Sequence, residues 1–343
     1  MIDTAASGSI DSSRPGGPTI SVIIPAYNTA GYIGEALDSV FAQVYTDFEI
    51  VVINDGSPDT ELLEKVLDPY FGRIVYIKQE NRGPSAARNA GIRCARGEHI
   101  AFLDSDDSWF PEYLSEQMKI LGNSQGLDMV YSDALMYGNT PLSDKSFFQV
   151  YPPRLPVTFG NLLKGCSILP SHVVVRRQIV LEAGLFDESL HLLEDVDLWL
   201  RMIQCGGRIA CNKQVLARHR YRSGSQSYVT SREMAEAQLR FMKKFEGSLN
   251  LTAGMRSALD REIKDNLTDL EIDQGKQFLL TRDFQRAINS LGKAKNNRPS
   301  TKLRLTVYGL RVAPNLTRFI TIAWLRLLFA ADNLGQVKPG RQK

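Results

Sequence analysis

A chain of 343 residues, 43% hydrophobic and 23% charged, can bury one large core or two smaller ones, which excludes a disordered or fibrous protein. Its four cysteines (94, 166, 205 and 211) form no Cys-x-x-Cys pair, which excludes a cysteine zinc cluster and a disulfide framework and suits a reducing compartment. The net charge of +3 is uneven: residues 301–343 carry eight Lys/Arg against Asp332, or +7, leaving −4 for the first 300 and pointing to an anionic partner for that end alone.

Residues 1–18 are small, polar and rich in Gly and Pro, with no apolar run of signal length, and are expected to be a disordered leader. Ile20 to Ile24 form a β-rich run stopped by Pro25. Residues 31–43 place apolar side chains at 33, 36, 37, 40 and 41, the helical spacing. A second buried strand, 48–57, ends in the turn cluster Asn54-Asp55-Gly56-Ser57. A helix over 58–70 and a strand over 74–78 follow. The segment 83–97 has proline in its first turn and glycine at its end, the punctuation of a helix. Next come a strand at 99–103, a helix at 111–121 and a strand near 128–132. Apolar strands alternating with helices predict an α/β fold with a parallel sheet covered on both faces. From 134 to 190 the pattern loosens, with a strand-like piece at 171–177; 190–206 reads as a loop entering an amphipathic helix. Beyond 230 the chain is helical to about 295, and 273–299 resembles one helix-turn-helix unit.

In such sheets ligands bind beyond the carboxyl ends of the strands. Three strands here end in polar clusters: Pro25-Ala26-Tyr27-Asn28, Asn54 to Ser57, and Asp104-Ser105-Asp106-Asp107. Three carboxylates within four residues repel by about 1 kcal/mol per pair even in water, so a cation should share their site, or they lie on a well-solvated turn. A hard divalent cation with a diphosphate fits, because Mg²⁺ and Mn²⁺ are held by one or two carboxylates plus phosphate oxygens. Asp55 can accept hydrogen bonds from a base or ribose, or simply make a turn. Arg88 offers a planar fork for phosphate or base edges, or a solvated helix face. Glu194-Asp195 at a predicted helix N-terminus is either a cap or a general base for an incoming hydroxyl. His219, Arg220 and Arg222 either neutralise phosphate or form a solvated basic loop.

Taken together, "SVIIPAYN", "VINDGS", "ENRGPSAARNAG", "HIAFLDSDDSWFPEYL", "GLFDESL" and "EDVDLWLRM" resemble the family 2 glycosyltransferases over about residues 19–227, in order and at family spacing. The resemblance implies a GT-A fold, Rossmann-like with a mostly parallel central sheet flanked by helices, at 19–230. A helical extension at 231–300 and a basic amphipathic tail at 301–343 would follow. It implies inverting transfer of a sugar from a nucleotide diphosphate donor, UDP being the leading choice, to an acceptor hydroxyl such as that of a lipid-linked saccharide, as in bacterial cell-surface polysaccharide or glycoconjugate synthesis. Pro25, Ala26 and Tyr27 resemble the nucleoside-holding loop, Asp55 the base-contacting acid with Arg88 nearby, and Asp104, Ser105 and Asp106 the DxD segment. Asp106 is then the direct ligand of Mn²⁺ or Mg²⁺, and Asp104 faces ribose and metal-bound water. Asp195 resembles the catalytic base, with Glu194 beside it, and His172 and Trp199 the surroundings of the donor-sugar or acceptor pocket. The sequence departs from the family's Tyr-Arg-x-His arrangement in carrying Arg222 where the histidine stands. An arginine cannot ligate a metal, so Arg222 is expected to bind diphosphate directly.

A sugar-1-phosphate nucleotidyltransferase would need a glycine-rich basic loop after the first strand, which "PAYNTAGYIG" lacks; a non-catalytic nucleotide-sugar-binding scaffold at the membrane would bind donor without turnover. No nucleic-acid-binding module is present. In the tail, 319–331 has one charge in 13 residues, too short as a helix to span a bilayer. With Arg304, Arg311, Arg318 and Arg326 around it, it is either an in-plane anchor on the inner face of the cell membrane of a cytoplasmic enzyme or a helix docked on protein. Pro314 should separate helices at 301–312 and 316–331.

Overall fold

The computed structural model describes residues 17–222, 231–247 and 251–321. The expected leader at 1–16 and the tail beyond 321 lie outside the described residues. The chain divides into two compact units, one within Met1–Val229 and Leu249–Met255, the other within Thr230–Ser248 and Arg256–Lys343.

The first unit begins with the alternation that the periodicity predicts: β1 (Ile20–Ala26), α1 (Ile33–Phe41), β2 (Phe48–Asp55), α2 (Thr60–Leu67), β3 (Val75–Gln79), α3 (Pro84–Cys94) and β4 (His99–Phe102). A two-residue β5 (Ser108–Trp109), α4 (Tyr113–Asn123) and the long β6 (Met129–Gly138) follow. The loosely patterned region resolves into two short helices, α5 (Phe147–Val150) and α6 (Phe159–Leu163), then β7 (Val173–Arg176) and α7 (Arg177–Glu182). The amphipathic α8 (Glu194–Gln204) and the 13-residue β8 (Ile209–Tyr221) complete it.

The eight strands form one sheet in the order β3-β2-β1-β4-β7-β6-β8-β5. β1 pairs in parallel with β2 and β4, and β3 with β2, which places the three strand-end clusters on one rim. β1 and β4 are buried almost throughout, so their apolar runs face helices on both sides. Helix α3 can lie close to the sheet because Gly91 has no side chain: a Cβ there would stand 2.5 Å from Ile23 Cγ2. The sheet is mixed, with a parallel part in the first half of the chain. β7 runs antiparallel to both β4 and β6, and β5 antiparallel to β8, while β6 and β8 are parallel. Direction in the second half is therefore set by the return path through 139–172, which carries no alternation signal.

In the second unit are α9 (Ser231–Glu246), α10 (Ala253–Leu280), α11 (Phe284–Asn297) and α12 (Thr301–Val312). Asp283 accepts a hydrogen bond from the Arg286 N–H and so caps α11. Leu279, Ala287, Leu291, Val307 and Leu310 form a small core joining the end of α10 to α11 and α12. Helical structure stops at Val312 and resumes at Pro314, which occupies the first helical position, where its missing N–H costs nothing.

Candidate active site

The loops after β1 and β2 are tied together. The Asn28 N–H donates to Ser57 Oγ (2.7 Å) and the Ala30 N–H to Asp59 Oδ2 (2.9 Å). Asp55, 3% exposed, accepts from Gln79 Nε2 (2.7 Å) and from the backbone N–H groups of Arg82 (3.0 Å) and Gly83 (2.8 Å). The carboxylate thus holds the loop that opens α3, a role that a lone Asp-Gly does not reveal. Gly56 is required beside it: its φ is +64°, and a Cβ would meet the Asn81 amide at 2.5 Å.

The three crowded carboxylates after β4 each have their own basic partner, an arginine for two of them and a histidine for the third. Asp104 Oδ1 accepts from Arg88 Nη2 at 2.7 Å, Asp106 Oδ2 from Arg222 Nε at 2.6 Å, and Asp107 Oδ2 lies 3.1 Å from His219 Nδ1. The pairing of β5 with β8 makes two of these possible, because it carries residues 218–222 back beside 106–109. Asp106 is nevertheless held above the usual carboxylate range by burial and by the Asp107 charge, with Arg222 opposing them. Arg220 braces the turn from the other side. It donates from Nε to the Asp106 carbonyl (2.9 Å), from its N–H to Asp107 Oδ1 (2.8 Å), and from Nη2 to Glu35.

Arg88 is 5% exposed and reaches a second acid, Glu194 Oε1, at 3.3 Å. Burial alone would lower its pKa; Asp104 and Glu194 outweigh that and raise it. Arg88 is not on a solvated helix face: two partly desolvated carboxylates engage it, and it ties α3 and the start of α8 to the end of β4. Glu194, expected beside the base, is the acid on the far side of this bridge. Asp195 follows at the first turn of α8, half-buried, with Oδ1 accepting from the Val196 N–H (2.7 Å). Burial and the neighbouring Glu194 charge push its carboxyl up to about 7.

One cleft of about 460 Å³ is lined by these parts together: Pro25, Ala26 and Tyr27; Asp55; Arg88; Asp104, Ser105 and Asp106; Glu194 and Asp195; His219, Arg220 and Arg222. Two expected residues are placed elsewhere. Trp199 is fully buried on the core face of α8, one turn past Asp195, with Phe186 beside its ring (6.3 Å), and does not line the cleft. His172 is also 0% exposed, behind the strand ends, and does not line it either. Both follow from amphipathic or strand patterning, since a large ring near a motif is more often core than ligand contact. That Asp107 and Arg220 pair with each other was not legible in the sequence, because they lie 113 positions apart.

Asp104 and Asp106 each give one oxygen to an arginine, and the other has no partner among the described residues. Two carboxylate oxygens at a cleft form a hard donor set, which fits Mg²⁺ or Mn²⁺.

Residues 21–153 match the family model "Glycosyl transferase family 2". The chain is 30% identical over 232 residues to an uncharacterized glycosyltransferase of Rickettsia prowazekii, covering 64% of this chain and 69% of that one. It is 31% identical over 224 residues to the amylovoran biosynthesis glycosyltransferase AmsB of Erwinia amylovora, covering 61% and 72%. The chain belongs to glycosyl transferase family 2. It spans only 35% of the length of another relative, an uncharacterized glycosyltransferase of Rickettsia felis, to which it is 34% identical over 219 residues. The GT-A fold is shared with a fragment of S. aureus TarS, residues 1–349, solved with UDP-GlcNAc (TM-score 0.59, 22% identity, 90% of this chain and 92% of that one). It is also shared with the mannosyltransferase PcManGT of Pyrobaculum calidifontis, solved with GDP-Man and Mn²⁺ (TM-score 0.58, 20% identity, 92% and 86%).

Proposed function

We propose that this family 2 chain is an inverting glycosyltransferase that moves a sugar from a nucleotide diphosphate donor to an acceptor hydroxyl. The observation that carries this reading is the shared cleft, in which Asp195, its carboxyl near 7, faces the same space as Asp104, Asp106, Arg222 and Asp55. A carboxylate titrating near the working pH is suited to general-base catalysis. Asp195 takes the proton of the acceptor hydroxyl as that oxygen attacks the anomeric carbon, and the bond to the leaving diphosphate breaks on the opposite face. No enzyme nucleophile is needed. Arg222, and Arg220 beside it, stabilise charge developing on the diphosphate through fixed N–H donors. Asp104 and Asp106 would hold Mn²⁺ or Mg²⁺, which supplies further positive charge to the departing group when bound. Tyr27, 47% exposed, offers a ring face to the base, and Asp55 fixes the loop beneath it.

UDP is the proposed nucleotide, in keeping with the TarS neighbour; the GDP-Man neighbour makes GDP the competitor to include. The AmsB relative supports polysaccharide synthesis, with a saccharide hydroxyl, lipid-linked or free, as acceptor. No helix of the described residues is long and apolar enough to cross a membrane. We place the enzyme at the inner face of the cell membrane through the second unit. Leu305, Tyr308, Val312, Leu316, Phe319 and Ile320 are exposed there, with Arg304 and Arg311 exposed among them, a pattern complementary to an anionic lipid surface.

The test is incubation of the purified chain with a panel of UDP-, GDP- and dTDP-sugars with Mn²⁺ or Mg²⁺. Release of nucleoside diphosphate by the wild type, and its loss in Asp195→Asn with donor binding intact, supports the reading. Donor binding without release by the wild type across acceptors would reduce the protein to a binder.

A further inference from the structure

Directly behind the DxD turn lies a second cluster that the glycosyl-transfer reading does not use. Asp107, 2% exposed, does not line the cleft that Asp104, Ser105 and Asp106 line. His219 lies against it from β8, and His172 comes from the single turn that leads into β7. One ligand atom from each of Asp107, His172 and His219 lies within 4.8 Å of the other two. His219 also lines the cleft, so the cluster opens toward the donor site on that side.

His172 is what sets this cluster apart from an ordinary buried ion pair. It is 0% exposed, yet neither Nδ1 nor Nε2 has a hydrogen-bond partner. A neutral imidazole carries one donor and one acceptor, and burying both without partners is costly. Asp107 and His219 satisfy each other, and the Arg220 N–H takes the second Asp107 oxygen, so hydrogen bonding leaves only His172 without compensation. Phe147 stands edge-on to both imidazoles, at 6.1 Å from His172 and 6.2 Å from His219, and the two imidazoles are 5.9 Å apart and near perpendicular.

We propose that Asp107, His172 and His219 form a second cation site, for a divalent transition metal, separate from the pair Asp104 and Asp106. Two imidazoles and one carboxylate make a borderline donor set that prefers Zn²⁺, Co²⁺ or Ni²⁺ to Mg²⁺. Ligand atoms in a tetrahedral zinc site with bonds of about 2.0–2.1 Å stand about 3.3 Å apart, so the three side chains need only a small closure. Three protein ligands leave one position, which the cleft side at His219 can supply with water or a diphosphate oxygen. The bound ion would remove the uncompensated burial of His172 and set a fixed positive charge under the donor site.

The experiment uses the full chain, stripped with chelator and titrated with Co²⁺ and Zn²⁺ in the absence of nucleotide. Binding is read by calorimetry, by bound metal per chain, and by the visible absorption of low-symmetry Co²⁺. The expected result is about one equivalent bound by the wild type and a loss of affinity of about 100-fold or more in His172→Gln, with a change under about threefold in Asp106→Asn. His219→Gln is the second ligand variant, should His172→Gln fail to fold by circular dichroism, and the same loss is expected. Overturning results are a wild type that binds neither metal without nucleotide, ligand variants that bind as tightly as wild type, or binding abolished by Asp106→Asn alone, which would put the ion at the DxD turn.

Discussion

Arg222 Nε lies 2.6 Å from Asp106 Oδ2, so an arginine stands against the carboxylate expected to ligate the donor-site metal. Asp106 and Arg222 are 116 positions apart and meet only because β8 returns beside β5. The pair is a partly desolvated, charge-assisted contact that a diphosphate can enter from the cleft side. Arg222→Ala is expected to weaken binding of nucleoside diphosphate about 10- to 100-fold, since a hydrogen bond to a charged group contributes about 1.5–3 kcal/mol. Arg222→Lys should recover only part of it, because the planar fork is lost. Titration calorimetry with UDP and GDP decides: unchanged affinity in Arg222→Ala would remove the arginine from the donor site.

In the proposed mechanism Asp195 would set the acid limb of the rate. Its carboxyl is raised to about 7, so kcat should rise with pH through that value as the base ionises. The stability effect runs the other way. A carboxyl whose folded pKa exceeds its ordinary value of 3.8 binds more protons folded than unfolded, so stability falls as pH rises from about 4 to 7. Asp195→Asn should therefore lose about 10²- to 10⁴-fold in turnover while melting above wild type at pH 8, the gap closing toward pH 4. A variant that melts lower at pH 8 would contradict this.

Arg88 joins two acids from different elements, with its own side chain 6% exposed. Arg88→Met leaves Asp104 and Glu194 without their counter-charge, and removal of one partner from a buried ion-pair group destabilises by about 3–5 kcal/mol. Urea unfolding measures this. A loss below about 1 kcal/mol would mean that solvent takes over the role of the guanidinium.

Gly91 marks the closest approach of α3 to the sheet. Gly91→Ala places a methyl 2.5 Å from Ile23 Cγ2 and 2.9 Å from Ile53 Cδ1, both on buried strands. Overpacking of this kind costs about 1–3 kcal/mol, read as a lower urea midpoint at unchanged slope. A gain in stability would show that the helix can shift outward freely.

Membrane contact through the second unit is tested by sedimentation with vesicles. Leu316 and Phe319 are 60% and 70% exposed, so Leu316→Glu with Phe319→Glu should fold normally. The bound fraction on vesicles containing anionic lipid should fall several-fold in the double variant, and should fall for wild type as salt rises. Equal binding to zwitterionic vesicles, or no effect of the substitutions, would remove the proposed anchor.

The first half of the fold follows from local patterning. Apolar runs at 20–24, 48–53 and 99–102 became parallel strands, and the Pro84 and Gly97 signals bracketed α3. The direction of β7 was not readable, because three buried valines in a four-residue strand look the same in either orientation. Trp199 and His172 were misplaced at the sugar pocket for a related reason: proximity to a motif along the chain says nothing about which face of α8 or which side of the strand ends a ring occupies.

What the amino-acid order determined alone is where strands stop and which polar side chains stand at their ends, since both depend on residues within a turn or two. It could show that Asp104, Asp106 and Asp107 need positive charge nearby. Which basic side chain answers which carboxylate was decided only in three dimensions: Arg88 for Asp104, Arg222 for Asp106, His219 for Asp107. The reason is physical. Hydrophobic period and turn chemistry act over a few residues, whereas charge compensation in a desolvated cleft depends on the register of strands far apart in the chain.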